Sequence, residues 1–431
     1  IFTEEQEASS FVHKIDQIFD KVHHSYQSTL RDLLSTWQVI IVMGAILLGG
    51  VAYLYATARA ELAPTEDQGI VLMQASGPPN STVNQMQTYA DQIYAIAAAE
   101  PEYEQAFQIT SPTSSFGGIL LKDWSSRSRS ATKFQEDMQQ KWNTIAGARV
   151  AAFQFPALPG AQGLPVQVVI NTTESYEQLN EVSQAVLDKA RRSGNFFFVD
   201  SDLKIDKPQD VLVIDREKVA ALGMTQQQVG AALSAALGGG YVNYFSVSGR
   251  SYRVIPQVKQ VDRLNPDQIL DYYIRTPSGA MIQARTIASI KQRVVPQSIN
   301  HFQQLNSATI SGVSTPFISQ ADLLEYMRQT LKEVAPNGYS MDYAGPSRQF
   351  MSESGGFLVT MFFAILIVFL VLAAQFESFR DPIVILVSVP LALFGALIFI
   401  NLGFTTLNVY TQVGLVTLMG LISKHGILIV E

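Results

Sequence analysis

The sequence predicts an α+β membrane protein, and three observations carry that prediction. Val39 to Ala58, Phe357 to Ala374 and Pro382 to Leu402 hold no charged residue, and each reaches the roughly 18 to 20 apolar residues that a helix needs to cross about 30 Å of hydrocarbon. Between the first two lie residues 59–356, where period-two alternation and helical periodicity take turns. Their order spells a β-α-β-β-α-β unit, a split layout that sets helices on one face of an antiparallel sheet.

Composition narrows the function classes. A chain of 431 residues that is 47% hydrophobic and 16% charged is too apolar for an ordinary soluble enzyme. A net charge of -7 with no Lys/Arg cluster argues against nucleic acid as a partner, since a phosphate-binding surface needs a cationic patch. Absence of cysteine removes thiol catalysis, disulfides and thiolate metal sites. No GxxxxGK[ST] occurs, so ATP has no phosphate-binding loop, and no nucleophile stands at a catalytic spacing from a base. His23 and His24 are adjacent and so do not share a helical face; no metal site, no cofactor and no enzyme is expected.

Taken in order, residues 1–37 are expected to form a cytoplasmic amphipathic helix along the bilayer surface. Phe11, Ile15, Ile18, Phe19, Val22, Tyr26 and Leu30 recur at helical steps, and Lys14, Lys21 and Arg31 favour the cytoplasmic side. The first span, residues 38–59, then leads outward. Gly69 to Ala75, Phe107 to Ile109, Ile119 to Leu121 and Val150 to Phe155 read as strands, with helices at Thr82 to Ala99 and Ser130 to Ile145. Pro156, Pro159, Gly160, Gly163 and Pro165 read as a linker. Val166 to Ile170, Tyr176 to Arg192 and Phe196 to Val199 open a second such unit, completed by Ala308 to Ile310, Gln320 to Val334 and Ser340 to Tyr343. The insertion between them holds a strand, two helices and a hairpin with arms Tyr244 to Val247 and Tyr252 to Ile255; Gly238, Gly239 and Gly240 are expected to supply its bend. Spans at 355–375 and 382–402 are joined by a short cytoplasmic turn carrying Arg380, and a fourth apolar stretch, 407–431, is broken by Lys424 and His425.

Several motifs stand in one order: FDKVHHSYQSTL before the first span, ELAPTEDQG after it, LKDW at Leu121 to Trp124, REKVAALGMT at Arg216 to Thr225, GGGYVNYF from Gly238, and GLISKHGILIVE at the end. In this order the chain resembles the C-terminal half of resistance-nodulation-division efflux transporters of the hydrophobe/amphiphile branch, over essentially its whole length. The resemblance implies spans like the seventh to tenth of twelve, and a bacterial inner-membrane location with a large periplasmic part. It implies one porter subdomain at 60–162, a second at 163–204 with 297–350, and a docking or funnel insertion at 205–296. It further implies proton/drug antiport of hydrophobic or amphiphilic compounds by a homotrimer, working with a periplasmic adaptor protein and an outer-membrane channel. Export of lipids or metal ions, and proton-coupled protein translocation, are the alternatives on the same fold.

Lys424 is the sharpest single signal. A lysine at the centre of a spanning helix costs about 2.5 to 3.5 kcal/mol on insertion scales, so it normally faces a carboxylate or a watery cavity. By resemblance it is a proton-relay residue whose acidic partners lie outside this chain; a structural ion pair is the plainer reading. His425, about 100° around the helix, is either a second titrating group or a packing histidine. Gly420, Ser423 and Gly426 make a small-residue stripe where another helix could approach. Phe107 and Ile109 match pocket-lining positions of the family and Phe116, near the end of the connecting loop read at Ser111 to Gly118, joins them as a candidate pocket residue, with core packing as the competing reading. Tyr241 and Asn243 belong with the three glycines to the docking hairpin. Asp200, Asp202 and Asp206 read as a solvated acidic loop rather than a cation site.

Overall fold

The computed structural model describes residues 19–29, 31, 36–160, 162–315 and 318–430. Phe11, Lys14, Ile15, Ile18 and Leu30 of the expected amphipathic helix lie outside the described residues; α1 (residues 19–29) is helical, with Phe19, Val22 and Tyr26 exposed.

Uninterrupted apolar sequence produces the long helices. α2 (Trp37–Thr57) and α10 (Phe357–Phe376) are single helices, the latter preceded by α9 (Gly345–Ser354). The third apolar run is parted at Val387 into α11 (Arg380–Leu386) and α12 (Ser388–Asn401), because Pro390 has no N–H to offer the carbonyl one turn back. Among the described residues, Gln38–Thr57, Gly345–Phe376 and Arg380–Asn401 are long and apolar enough to cross a membrane. The fourth, α13 (Val409–Val430), is 22 residues long and carries Gln412, Lys424 and His425 within its apolar run. These helices bury a seam of Val389, Leu393, Leu397, Leu415 and Met419 and leave Ile41, Phe362, Ile367 and Val371 outside, a surface suited to hydrocarbon rather than water. α2 packs on α12, and α13 on α10, α11 and α12. A Cβ on Gly50 would stand 2.5 Å from the Phe394 ring, and one on Gly426 2.7 Å from Cγ2 of Ile385, so both glycines set how closely their helices approach.

Between α2 and α9 stand two α/β units. The first runs β1 (Ile70–Ser76), α3 (Val83–Ala98), β2 (Tyr103–Thr110), β3 (Ser114–Leu121), α4 (Ala131–Trp142) and β4 (Arg149–Phe153), with strand order β2-β3-β1-β4 and antiparallel neighbours. Thr82 and Ser130 cap the helices by accepting from the N–H groups of Gln85 and Lys133. Val71, Met73 and Ala152 of one sheet face meet Ile93, Phe134, Met138 and Trp142 of the helices. The stretch read as a loop at Ser111 to Gly118 is strand from Ser114 onward. The Phe107 ring lies over Gly118, where a Cβ would come within 2.6 Å of it; Gly118 makes room for a cross-strand aromatic.

The second unit repeats the order with β5 (Val166–Thr172), α5 (Tyr176–Arg192), β6 (Phe196–Ser201), β14 (Leu305–Ser314), α8 (Gln320–Val334) and β15 (Tyr339–Tyr343); β14 pairs β5 and β6, and β15 pairs β5. Ser175 and Gln178 form a capping box at the start of α5. Between β6 and β14 a ribbon of β7 (Ile205–Ile214) and β12 (Ala288–Pro296) carries the insertion, whose core is Val219, Val229, Leu233, Ile274 and Ile287. Within it α7 (Gln226–Leu237) precedes a hairpin of β8 (Asn243–Val247) and β9 (Arg250–Val254), exposed along both strands. The glycine expectation is corrected here: Gly238, at φ 81°, ends α7, while the hairpin turns at Ser248 and Gly249, at φ 49° and 75°. Consecutive positive φ values match the right-handed strand twist of a two-residue hairpin turn.

An ion cluster clamps the base of the first sheet. Arg129 donates to Glu102 at 2.5 Å, Glu100 at 2.6 Å and Asp137 at 2.8 Å, with Lys141 on the far oxygen of Glu100. Hydrogen bonds from Arg129, helped by Ser128 and opposed by burial, hold the Glu102 carboxyl at about 2, against an ordinary 4.5. A folded-state pKa below the unfolded one contributes stability above about pH 4.5 that is lost as pH falls toward 2. Glu102→Gln should therefore lower the stability of the detergent-solubilised protein by about 2 kcal/mol at pH 7, and thermal melts of the two proteins should converge near pH 2. Gly426→Phe should destabilise by about 1 to 3 kcal/mol in the same melts through overpacking against α11, whereas Gly420→Ala, with nothing within 4 Å of its Cβ position, should not.

Candidate functional site

The helices and the α/β units meet at residues 59–62. This segment leaves α2 extended and forms a parallel bridge, Ala60 with Leu407. The Leu407 N–H donates to Arg59 O at 2.8 Å, the Glu61 N–H to Leu407 O at 3.2 Å and the Val409 N–H to Leu62 O at 3.2 Å. The Thr406 hydroxyl donates to Glu61 at 2.5 Å, and the buried Asn408 accepts from the Thr411 N–H at 3.0 Å as α13 starts. On its other side the segment reaches α8: Ala321 N–H donates to Ala60 O at 3.3 Å, and Leu62 N–H to the Gln320 side chain at 3.1 Å. A few residues on, Asp67 accepts from the Ala131 N–H at 2.6 Å and from the Gly69 N–H and Arg127, each at 3.0 Å. Burial alone would raise the Asp67 pKa; those hydrogen bonds outweigh it and hold the carboxyl below its ordinary range. One short segment thus ties α2, α13, α8 and α4 together. Sequence reasoning registered it only as the motif ELAPTEDQG, because backbone bridges leave no residue signature.

The residues flagged on α13 separate. Ser423 is buried and its hydroxyl donates to Met419 O at 2.8 Å, while Gly426 lies against Ile385. Gly420 has open space beside it. The stripe is therefore not one free face: two of its three members are already packed within this chain, because the 3.6-residue turn carries positions 420 and 426 to different sides. Lys424 is exposed on the open side, in line with Val413, Thr417, Gly420 and Leu428, and makes no ion pair with any described residue. His425 is exposed beside it.

Phe107, Ile109 and Phe116 come together on the sheet face turned away from α3 and α4. Ile109 pairs with Phe116 across β2 and β3, and the Phe107 and Phe116 rings lie 6.3 Å apart at 59°. They are 44%, 64% and 41% exposed, so core packing is excluded. They form an open patch and line none of the large cavity between the two units. That cavity, about 410 Å³, lies where the end of β4 faces β6 and β14, walled by Gln154, Phe155, Leu158, Phe197, Val313 and Ile318. Beside it the units join through Leu72, Ala151 and Phe153 against Phe198 and Val313, and at the far end Arg149 reaches Asp200 at 2.6 Å. The proline- and glycine-rich run after Phe155 signalled a linker; its role as a cavity wall carries no such signal.

Of the three aspartates Asp206 is exposed, whereas Asp200 is buried and Asp202 half-buried. Asp200 is buried between Arg149 and Lys204, Asp202 accepts from the Thr309 N–H at 2.6 Å and from Asn300 at 2.8 Å, and Asp206 accepts from Gln297 at 2.7 Å. They fasten the root of the β7–β12 ribbon, and burial pushes the Asp202 pKa up against those hydrogen bonds. Just before the hairpin, the Tyr241 ring lies tilted at 58° to that of Tyr244 with centroids 4.8 Å apart, Arg253 lies over Tyr241, and Asn243 opens β8 opposite Val254.

The chain is 35% identical over 428 residues to an uncharacterized transporter of Haemophilus influenzae, covering 97% of this chain and 42% of that protein. It is 29% identical over 428 residues to the multidrug/solvent efflux pump membrane transporter MepB of Pseudomonas putida, covering 96% and 41%. It is also 26% identical over 434 residues to the multidrug resistance protein MdtF of Escherichia coli K12, covering 97% and 42%. The chain thus spans about two fifths of the length of these curated relatives. The AcrB/AcrD/AcrF family model matches residues 2–431, so the chain belongs to that family of efflux transporters.

Proposed function

We propose that this chain is part of a proton-driven inner-membrane exporter of hydrophobic or amphiphilic compounds. In this reading α2, the α9–α10 run, α11 with α12, and α13 cross the membrane, and the two α/β units are porter subdomains standing in the periplasm. The β7–β12 insertion meets neighbouring protomers of a homotrimer, a periplasmic adaptor and an outer-membrane channel. Its exposed aromatic hairpin, with Tyr244, Phe245 and Tyr252 all open, suits such docking.

The observation that carries the reading is Lys424. An ammonium in an apolar helix, on the open side and without an acidic partner among the described residues, calls for a carboxylate from elsewhere in the pump. While that acid is ionised the pair is stable in low dielectric; protonation leaves the ammonium uncompensated, and the helix face changes partner. Each proton moving inward down 100 mV contributes about 2.3 kcal/mol to such a step. The start of α13 is bonded to residues 59–62, which continue into the first unit and touch the second, so a displacement of α13 has a direct route to the cavity. Leu62 and Thr406 line that cavity beside apolar walls, a position open to amphiphiles arriving from the bilayer surface, and undirected apolar burial accommodates many shapes.

The test is resistance to a cationic dye and a detergent in an efflux-deficient host carrying the intact gene. The native gene should confer resistance, and Lys424→Ala should return the host to its baseline at an unchanged membrane level of protein. Full resistance in the variant would remove the relay, and no resistance from the native gene would remove drug export.

A further inference from the structure

A cleft of about 300 Å³ opens where β4 approaches β6, between the ends of α4 and α5. Its walls divide by chemistry. Phe196, Phe197 and Phe198, each half-buried, make the apolar wall, and Arg149, Arg191 and Asn143 are the polar side chains opposite charge would meet. No carboxylate lines it among the described residues. The cavity described above differs in sign, since its ionisable lining residues are Glu61 and Glu136. Phe197 lines both spaces, so the two adjoin through one ring.

Arg149 and Arg191 are 46% and 38% exposed, and they share Asp200 with Lys204, at 2.6, 3.5 and 2.6 Å in that order. Arg191 also reaches the exposed Asp188 at 3.7 Å. Three cations thus lean on two carboxylates, and the cleft is left positive in a chain whose net charge is -7. The amide of Asn143 adds a donor whose orientation is fixed. Buried Gln139 accepts from the Ala152 N–H and donates to Val150 O, each at 2.8 Å, and its second Nε2 hydrogen goes to Asn143 Oδ1 at 2.8 Å. Asn143 is exposed, and its Nδ2 group has no partner among the described residues. Each polar side chain of the wall therefore presents N–H donors. The C-terminal ends of α4 and α5 disfavour an anion, but by less than one charge-assisted hydrogen bond supplies.

We propose that this cleft is a binding site for amphiphilic organic anions, with a sulfate or carboxylate head on Arg149, Arg191 and Asn143 and the apolar chain along the three phenylalanines. Exposed guanidinium forks match such heads, and undirected apolar burial suits the chain. The inference rests on the export reading above and names one substrate class of the pump. Dodecyl sulfate and dodecyltrimethylammonium are the probes, because they share a chain length and differ in the sign of the head.

In the efflux-deficient host carrying the intact gene, the native pump should protect against both. Arg191→Gln should lower resistance to dodecyl sulfate about tenfold, the scale of one charge-assisted hydrogen bond, and leave resistance to dodecyltrimethylammonium unchanged. Asn143→Asp keeps the oxygen that accepts from Gln139 and sets a carboxylate where the Nδ2 donor stood, so it should have the same selective effect; it decides the matter if Arg191→Gln fails to accumulate in the membrane. Equal loss of both resistances, or undiminished dodecyl sulfate resistance in either variant at normal protein level, would overturn the assignment. Protection by the native gene against the cation alone would overturn it too and leave the export reading standing, whereas protection against neither probe would remove both.

Discussion

The bridge between Ala60 and Leu407 is the contact on which the rest of the architecture depends. A helix pair and an α/β unit can each fold around its own core, and they act on one another where packed side chains or shared hydrogen bonds connect rigid elements. Here the end of α2, the start of α13 and the start of α8 meet in a handful of backbone bonds, and Asp67 extends the connection to α4. The bonds are short-range and directional, so a shift at one helix end is passed on as displacement rather than absorbed by a flexible loop. Asn401 reinforces the same level of the structure by donating to Leu54 O at 2.9 Å and accepting from Thr57 at 3.1 Å.

The two α/β units are held together unevenly. An ion pair closes one end of their interface, an apolar seam fills the middle, and the other end stands open as the cavity near Leu62 and Thr406. An open end adjoining the helix junction lets one structural change act on both the membrane helices and the space between the units. The apolar seam is non-directional and tolerates small sliding, whereas Arg149 with Asp200 keeps the far end registered.

Much of this was legible in the sequence, and the exceptions have physical causes. Charge-free apolar runs marked the long helices, and short apolar runs marked β1, β4 and β5, most of whose residues are buried. The loop expected at Ser111 to Gly118 is strand from Ser114, with Gly118 under the Phe107 ring, and glycine suits a turn and such a position alike. Gly238 to Gly240 misled in the same way: one of them ends a helix, while the true turn at Ser248 and Gly249 sits inside the arms' own polar residues. The aspartates at 200, 202 and 206 looked like a solvated run because their partners, Arg149, Thr309 and Gln297, are distant in sequence. Lys424 was legible because an ammonium in an apolar run is anomalous in any fold; the cavity was not, because a cavity belongs to the packing of two units and to no local pattern.

In the proposed mechanism, proton movement past α13 drives export through the units that residues 59–62 connect to it. The most direct measurement reconstitutes the intact pump in liposomes with an imposed proton gradient and follows a fluorescent amphiphile. Movement of the amphiphile should rise with the gradient and stop when a protonophore collapses it. Undiminished movement after the collapse would contradict the claim.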